Sequence, residues 1–218
     1  MRATLRPVRG FAIPVLFLVL LNVNAQASLT AYSDFPSWSS AVGSTTTVTI
    51  PDPAPNAFIS FGSGDASVTY DGVLFSQSAA LSNGNFFNVG PGYTGSPAVL
   101  SSQGQTIGVA NILITLPEYV TAISLAYGYG TFDGSGVTFL LSNGDSIVQG
   151  STGSGYDVPD FFGVTDTTPF NTLLVTTPDY VLNLNNLVYG NVQGVPEPSS
   201  LAICGLAGLG IVLYARSR

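Results

Sequence analysis

Between residues 28 and 194 the chain carries eleven of its twelve acidic side chains and no Lys, Arg, His or Cys, so any chemistry performed there rests on carboxylates, hydroxyls and amides. A Ser, His and Asp triad lacks its base, and no Lys is present to take that role. A thiol nucleophile and a Cys-based zinc site are excluded in the same stretch. Paired carboxylates remain. Asp157 and Asp160 are close in sequence, and Asp133 or Asp145 can approach across a hairpin; glycosidases need two such groups about 5 to 9.5 Å apart. Acidic residues scattered through Gly-rich loops are, however, ordinary turn formers. No catalytic residue is assigned on this basis, and the chain is expected to be non-enzymatic.

A hard cation is another use for carboxylates, because calcium prefers carboxylate and carbonyl oxygens and nothing internal offsets a formal charge of −11 over residues 28–194. The loops that offer such oxygens are Gly62-Ser63-Gly64-Asp65, Asp71-Gly72 and Asp133-Gly134-Ser135-Gly136, with Asp65, Asp71 and Asp133 as the candidate ligands. None completes an EF-hand loop. No other cofactor is expected. Nucleic acid is excluded as a partner, since the Lys and Arg that release counterions from phosphates are missing, and phosphate cofactors would have only backbone N–H groups to hold them.

Aromatic side chains offer a third chemistry, the stacking of sugar rings. The aromatic residues considered are Tyr93, Tyr127, Tyr129, Tyr156, Phe161 and Phe162. Tyr127 and Tyr129 share the parity of Ile123 and Leu125, which assigns them to a core face, whereas Tyr93 and Tyr156 fall in loops and are the exposed candidates for a ligand.

These residues are positioned by strands. Residues 120–129 alternate in the period of a sheet, and residues 137–141 do the same before Asn143-Gly144, a strong hairpin signal that leads into 146–149. Further strands are expected at 45–50, 67–75, 111–116, 161–165, 172–177 and 180–189. One short helix precedes them: Ser33 or Asp34 caps it, Pro36 sits in its first turn, Phe35, Trp38 and Val42 share a face, and Gly43 ends it. The Gly- and Ser-rich gaps at 77–96 and 149–160 are expected to be loops able to carry a binding surface. Short strands with regular turn signals predict an all-β, antiparallel two-sheet sandwich of jelly-roll type, with a barrel as the alternative. A parallel α/β fold would need crossover helices that the pattern lacks, and no internal repeat is present.

The two ends read as addresses. Arg2, Arg6 and Arg9 precede an apolar run at 11–21, and Ala25-Gln26-Ala27 is a small-x-small cleavage site. Residues 1–27 are therefore a secretory signal peptide, used by the Sec translocon and signal peptidase. At the other end Val195-Pro196-Glu197-Pro198 is followed by an apolar run at 201–214 and by Arg216 and Arg218. Fourteen apolar residues make roughly 21 Å of helix, a marginal membrane span. The arginines behind it favour a cytoplasmic C-terminus, leaving the 28–194 domain outside the inner membrane. Small residues at Ala202, Gly205, Ala207, Gly208 and Gly210 allow close helix approach. The lone Cys204 reads as a small apolar residue of that span.

The order of motif, span and basic cluster in 195–218 closely resembles the PEP-CTERM sorting signal, a tail also labelled the ice-binding protein C-terminal domain. The resemblance implies processing near Pro196-Glu197-Pro198 by an exosortase-like membrane protease, after which the protein resides in the cell envelope or extracellular matrix. Segments 38–43, 70–75, 161–164 and 184–190 are similar to jelly-roll domains of unknown function carried by such proteins, although Asn185 stands where relatives often have Asp. The family implies a non-enzymatic protein associated with exopolysaccharide. A glycan- or calcium-binding sandwich is the alternative. The tail's label does not predict ice binding: Thr45-Thr46-Thr47 reads more simply as β-branched strand residues.

Overall fold

The computed structural model describes residues 28–77, 84–91, 98–104, 109–129, 136–152 and 156–193. The expected signal peptide with Ala25 and Ala27, the tail with its expected sorting motif Val195-Pro196-Glu197-Pro198 and its arginines, Tyr93 and Asp133 lie outside the described residues. In chain order the elements are β1 (Thr30–Tyr32), α1 (Phe35–Ala41), β2 (Val42–Thr47), β3 (Phe58–Ser63), β4 (Ser67–Tyr70), β5 (Val73–Ser76), β6 (Asn85–Val89), β7 (Val99–Gln103), β8 (Ala110–Tyr129), β9 (Val137–Leu141), β10 (Ser146–Gln149), β11 (Asp160–Thr177) and β12 (Val181–Val192).

The helix forms where capping chemistry starts it. Asp34 is the N-cap and its Oδ1 accepts from Ser37 N at 2.8 Å, satisfying a first-turn donor. Trp38 is fully buried and donates from Nε1 to Val164 O at 3.0 Å, which ties α1 to β11. The helix ends at Ala41 rather than Gly43, because Val42 is already extended and pairs with Val192. Phe35, on the helix face shared with Trp38 and Val42, is 47% exposed.

The strands join into one antiparallel sheet in the order β10-β9-β11-β8-β12-β7-β6-β3, with β1 on β11, β2 on β12, and β4 attached through β5 to β8. Two expected strand pairs turn out to be halves of longer strands. Residues 111–116 and 120–129 are one strand, β8, and residues 161–165 and 172–177 are one strand, β11. Each bends at a proline, Pro117 or Pro169, where exposed residues 117–119 and 167–169 interrupt the burial pattern and the register slips around Phe170. A proline has no N–H to give the ladder, so it is tolerated at such a corner.

The corners fold the sheet into two leaves. One contains β10, β9, the second half of β11, the first half of β8, β5 and β4. The other contains β1, the first half of β11, the second half of β8, β12, β2, β7, β6 and β3. Their inner faces share one core, in which Phe139 of the first leaf stacks on Phe162 of the second at 3.8 Å and meets Tyr127 edge to face at 5.0 Å. Tyr127 and Tyr129 are buried, as their parity predicts.

Turn chemistry accounts for the hairpins. Residues 67–75, expected as one strand, are the hairpin β4/β5: Asp71 and Gly72 take φ of 49° and 81°, the two positive values of a tight two-residue turn. The Asn143-Gly144 hairpin is present, but with a longer loop in which Gly144 alone adopts positive φ, at 99°. Among the described residues, no helix is long and apolar enough to cross a membrane.

Candidate functional site

Strands β3, β6 and β7, all three absent from the sequence reading, build the most chemically suggestive surface. Side chains alternate across a strand, so Phe86 enters the core while Phe87, directly opposite Ser60 and Ser101, faces outward. On that outer face Phe58, Ser60, Asn85, Phe87 and Gln103, joined by Tyr156 from the β10–β11 loop, line an open cleft of about 320 Å³. Its three rings form a mutual edge-to-face cluster: Phe58 to Phe87 at 5.5 Å, Phe58 to Tyr156 at 5.6 Å and Phe87 to Tyr156 at 6.1 Å. Phe58 is 44% exposed. The polar groups are the amides of Asn85 and Gln103 and the hydroxyls of Ser60 and Tyr156, with Gln103 Nε2 donating to the Tyr156 hydroxyl at 3.2 Å. Among the described residues, no charged side chain lines the cleft.

The strand edge and the strap that complete the cleft are both held locally. After Ser60 the register of β3 shifts, with Gly62 at φ 111° donating its N–H to Ser60 Oγ at 3.2 Å. The main chain of Gln103 is gripped by buried Gln77, whose Nε2 donates to Gln103 O at 3.0 Å and to Ser102 Oγ at 2.8 Å. Residues 156–160 form a strap across β8: Val158 is buried against Phe87, Val89 and Val99, and Asp157 O lies so close to Gly128 that a Cβ there would sit 2.0 Å from it. The base of the strap is tied by Asp160, which accepts from Thr152 N at 2.8 Å, from Thr152 Oγ1 at 3.2 Å and from Ser151 Oγ. Tyr127 adds a hydrogen bond from its hydroxyl to Gly150 O. Burial, and then the nearby Asp160 carboxylate, push that hydroxyl's pKa upward and keep it a donor.

The carboxylates singled out from the sequence have structural partners. Asp160 staples the strap. Asp157 is half-buried and contributes its carbonyl to the contact with Gly128. Asp71 is exposed, and its Oδ2 accepts from Thr49 N at 2.7 Å. Asp65 is exposed in the turn after β3. Among the described residues no three or more His, Cys, Asp or Glu side chains gather as a metal site. Asp145 instead meets buried Asp166, and a hydrogen bond between the two carboxyls raises its pKa. Asp166 also accepts from Asn143 Nδ2 and from Thr168 N, each at 2.8 Å.

Of the two loop tyrosines proposed as ligand contacts, Tyr156 is thus part of a cleft. Phe58, Phe87, Asn85, Ser60 and Gln103 were missed. The adjacent aromatics Phe86-Phe87 and Phe58-Ile59-Ser60-Phe61 were the available signal, with one partner of each strand pair pointing outward.

No protein-family model matches the chain, and no curated protein matches it. Solved structures similar to it include a variant of a family 29 carbohydrate-binding module, at 13% identity and a TM-score of 0.28, covering 72% of this chain and 99% of that one. A variant complexed with mannohexaose matches at 14% identity and 0.26, over 68% and 93%. One complexed with cellulohexaose matches at 13% and 0.24, over 67% and 93%. Likeness at these scores carries no argument about what this chain binds.

Proposed function

We propose that the chain is an exported, non-catalytic glycan-binding protein that takes a neutral polysaccharide at the cleft of Phe58, Phe87 and Tyr156. The observation that carries this reading is the pairing of exposed Phe58 and half-buried Tyr156 with amide and hydroxyl groups in a cleft that, among the described residues, no charged side chain lines. A sugar ring has an apolar C–H face and an equatorial belt of hydroxyls. Aromatic rings accept the first, while Asn85, Gln103 and Ser60 exchange hydrogen bonds with the second. An anionic glycan is disfavoured by the eleven carboxylates of the domain and the absence of cations. The two-leaf fold is taken as a jelly-roll type sandwich, with the cleft on the outer face of one leaf. Affinity electrophoresis of the full chain in gels containing neutral β-glucan or β-mannan tests the proposal. Retardation that disappears in Tyr156→Ala supports it, and unretarded migration in every neutral polysaccharide refutes it.

The sorting reading complements this function. The signal peptide and the Val195-Pro196-Glu197-Pro198 tail support delivery to the outer side of the inner membrane, followed by exosortase-like processing and release into an exopolysaccharide matrix. Intact mass and fractionation of the protein from its producer, beside Glu197→Ala, test it. Loss of the tail that the substitution blocks supports processing; a full-length membrane-bound chain in both strains makes the tail an anchor.

A further inference from the structure

The outer face of the same leaf holds a second cleft, about 340 Å³, lined chiefly by Phe35, Thr47, Ala126, Phe161, Asn186 and Val188. It lies where β12 changes partners, pairing with β7 through residues 181–184 and with β2 from Val188 onward. A bulge at this fork, between Asn185 and Val188, places exposed Asn186 at φ 52°. Phe35 and Phe161 meet edge to face at 6.3 Å, and Phe35 leans on Trp38 at 5.7 Å.

Asn185 holds the backbone of the lining residue Asn186 rather than lining the cleft itself. It pairs across the strands with Ala126 and is 6% exposed. Its Oδ1 accepts from Asn186 N at 2.6 Å, but among the described residues no acceptor reaches its Nδ2.

The two clefts share one face. Ala126, which lines the second, packs against the Phe87, Val89, Val99 and Val158 cluster beneath the first. Between β8 and β6 there are three strand spacings, about 14 Å, and the strap of residues 156–160 lies between. We infer that the second cleft is a further subsite for the same neutral glycan, placing a ring against Phe35 and Phe161 and offering it the exposed amide of Asn186. One chain then bridges both clefts across the strap, so affinity rises with chain length through the high effective concentration of the second ring. This inference rests on the glycan-binding reading.

Trp38, the sole tryptophan, touches Phe35 and reports on this cleft. The test is a titration of the full chain with neutral gluco- and manno-oligosaccharides from disaccharide to hexasaccharide, read by calorimetry and by Trp38 emission. Wild type is expected to gain about tenfold or more in affinity along the series, with an emission change on binding the longer members. Phe35→Ala, at an exposed position that the core does not need, is expected to abolish both the gain and the emission change while leaving Tyr156-dependent binding intact. Asn186→Gly, which keeps the positive φ, is expected to reduce the gain. Equal affinity for all lengths, or a Phe35→Ala variant indistinguishable from wild type, overturns the second subsite alone. Absence of binding by wild type at every length overturns the glycan reading as well.

Discussion

Replacing Gly128 by Ala is expected to lift the 156–160 strap and disable the cleft without unfolding the domain. The added Cβ would meet Asp157 O at 2.0 Å, whereas ordinary contact begins near 3.4 Å, so the strap backbone must retreat by about 1.4 Å. Pro159 Cδ, at 3.3 Å from the same Cβ, blocks a simple sideways slide. If the strap undocks, Val158 loses its burial, worth about 1.5 to 3 kcal/mol, and Tyr156 loses ring contacts with Phe58 and Phe87, each worth about 0.5 to 1.5 kcal/mol. The expected destabilisation is therefore about 2.5 to 6 kcal/mol, against the 5 to 15 kcal/mol or so of a typical domain. Gly150→Ala is the control, because nothing lies within 4 Å of its added Cβ; it should stay within about 0.5 kcal/mol of wild type. Urea titration measures both, and amide exchange around residues 156–160 locates the change. A Gly128→Ala protein as stable as the control, with normal exchange in the strap and normal glycan retardation, would refute the view that this contact positions the site.

Other consequences follow from the same geometry. Phe139→Ala removes the ring stacked on Phe162 between the leaves and should cost about 3 to 5 kcal/mol in urea titration, in contrast to negligible cost for exposed Val148→Thr. The raised pKa of Asp145, caused by its hydrogen bond to Asp166, means that this pair stabilises the fold below the ordinary aspartate range and that the contribution is lost as pH rises through the raised value. Thermal melts should accordingly show stability falling as pH rises through that window, and Asp145→Asn should flatten the slope. The capping Asp34 acts oppositely: its backbone bond to Ser37 lowers its pKa, so its contribution is present above the ordinary value and disappears as pH falls through the lowered one. Asp34→Asn should remove that acid-side loss while preserving helix α1.

Much of the core was legible in the sequence because its strands obey a clean period of two. Ile123, Leu125, Tyr127 and Tyr129 point inward as their parity demands, and Trp38 is buried on a helix that its capping residues announced. The corners at Pro117 and Pro169 were read as gaps, since a proline in an extended run signals an end of pairing as readily as a bend. The Asp71-Gly72 hairpin was readable in principle, being a two-residue turn of favoured composition. The site strands were harder. In β6, Phe86 and Phe87 are both buried, one in the core and one under the strap, so the alternation that marks a half-exposed strand is erased. Tyr156 could be picked out as a loop aromatic, but Asn85, Ser60 and Gln103 become its neighbours only through the β3-β6-β7 pairing. Asp160 looked available for chemistry in sequence and is taken up by Ser151 and Thr152 in the fold.

The central claim is that an uncharged aromatic cleft binds neutral glycan, and calorimetric titration of the full chain with soluble β-glucan and β-mannan, wild type beside Tyr156→Ala, tests it most directly. Saturable binding is expected for at least one polymer and should persist at high salt, because among the described residues no charged side chain lines the cleft. Tyr156→Ala should weaken that binding roughly thirtyfold or more, the loss of about 2 kcal/mol expected for a central aromatic contact. No binding of either polymer, or equal binding by a folded Tyr156→Ala protein, would contradict it.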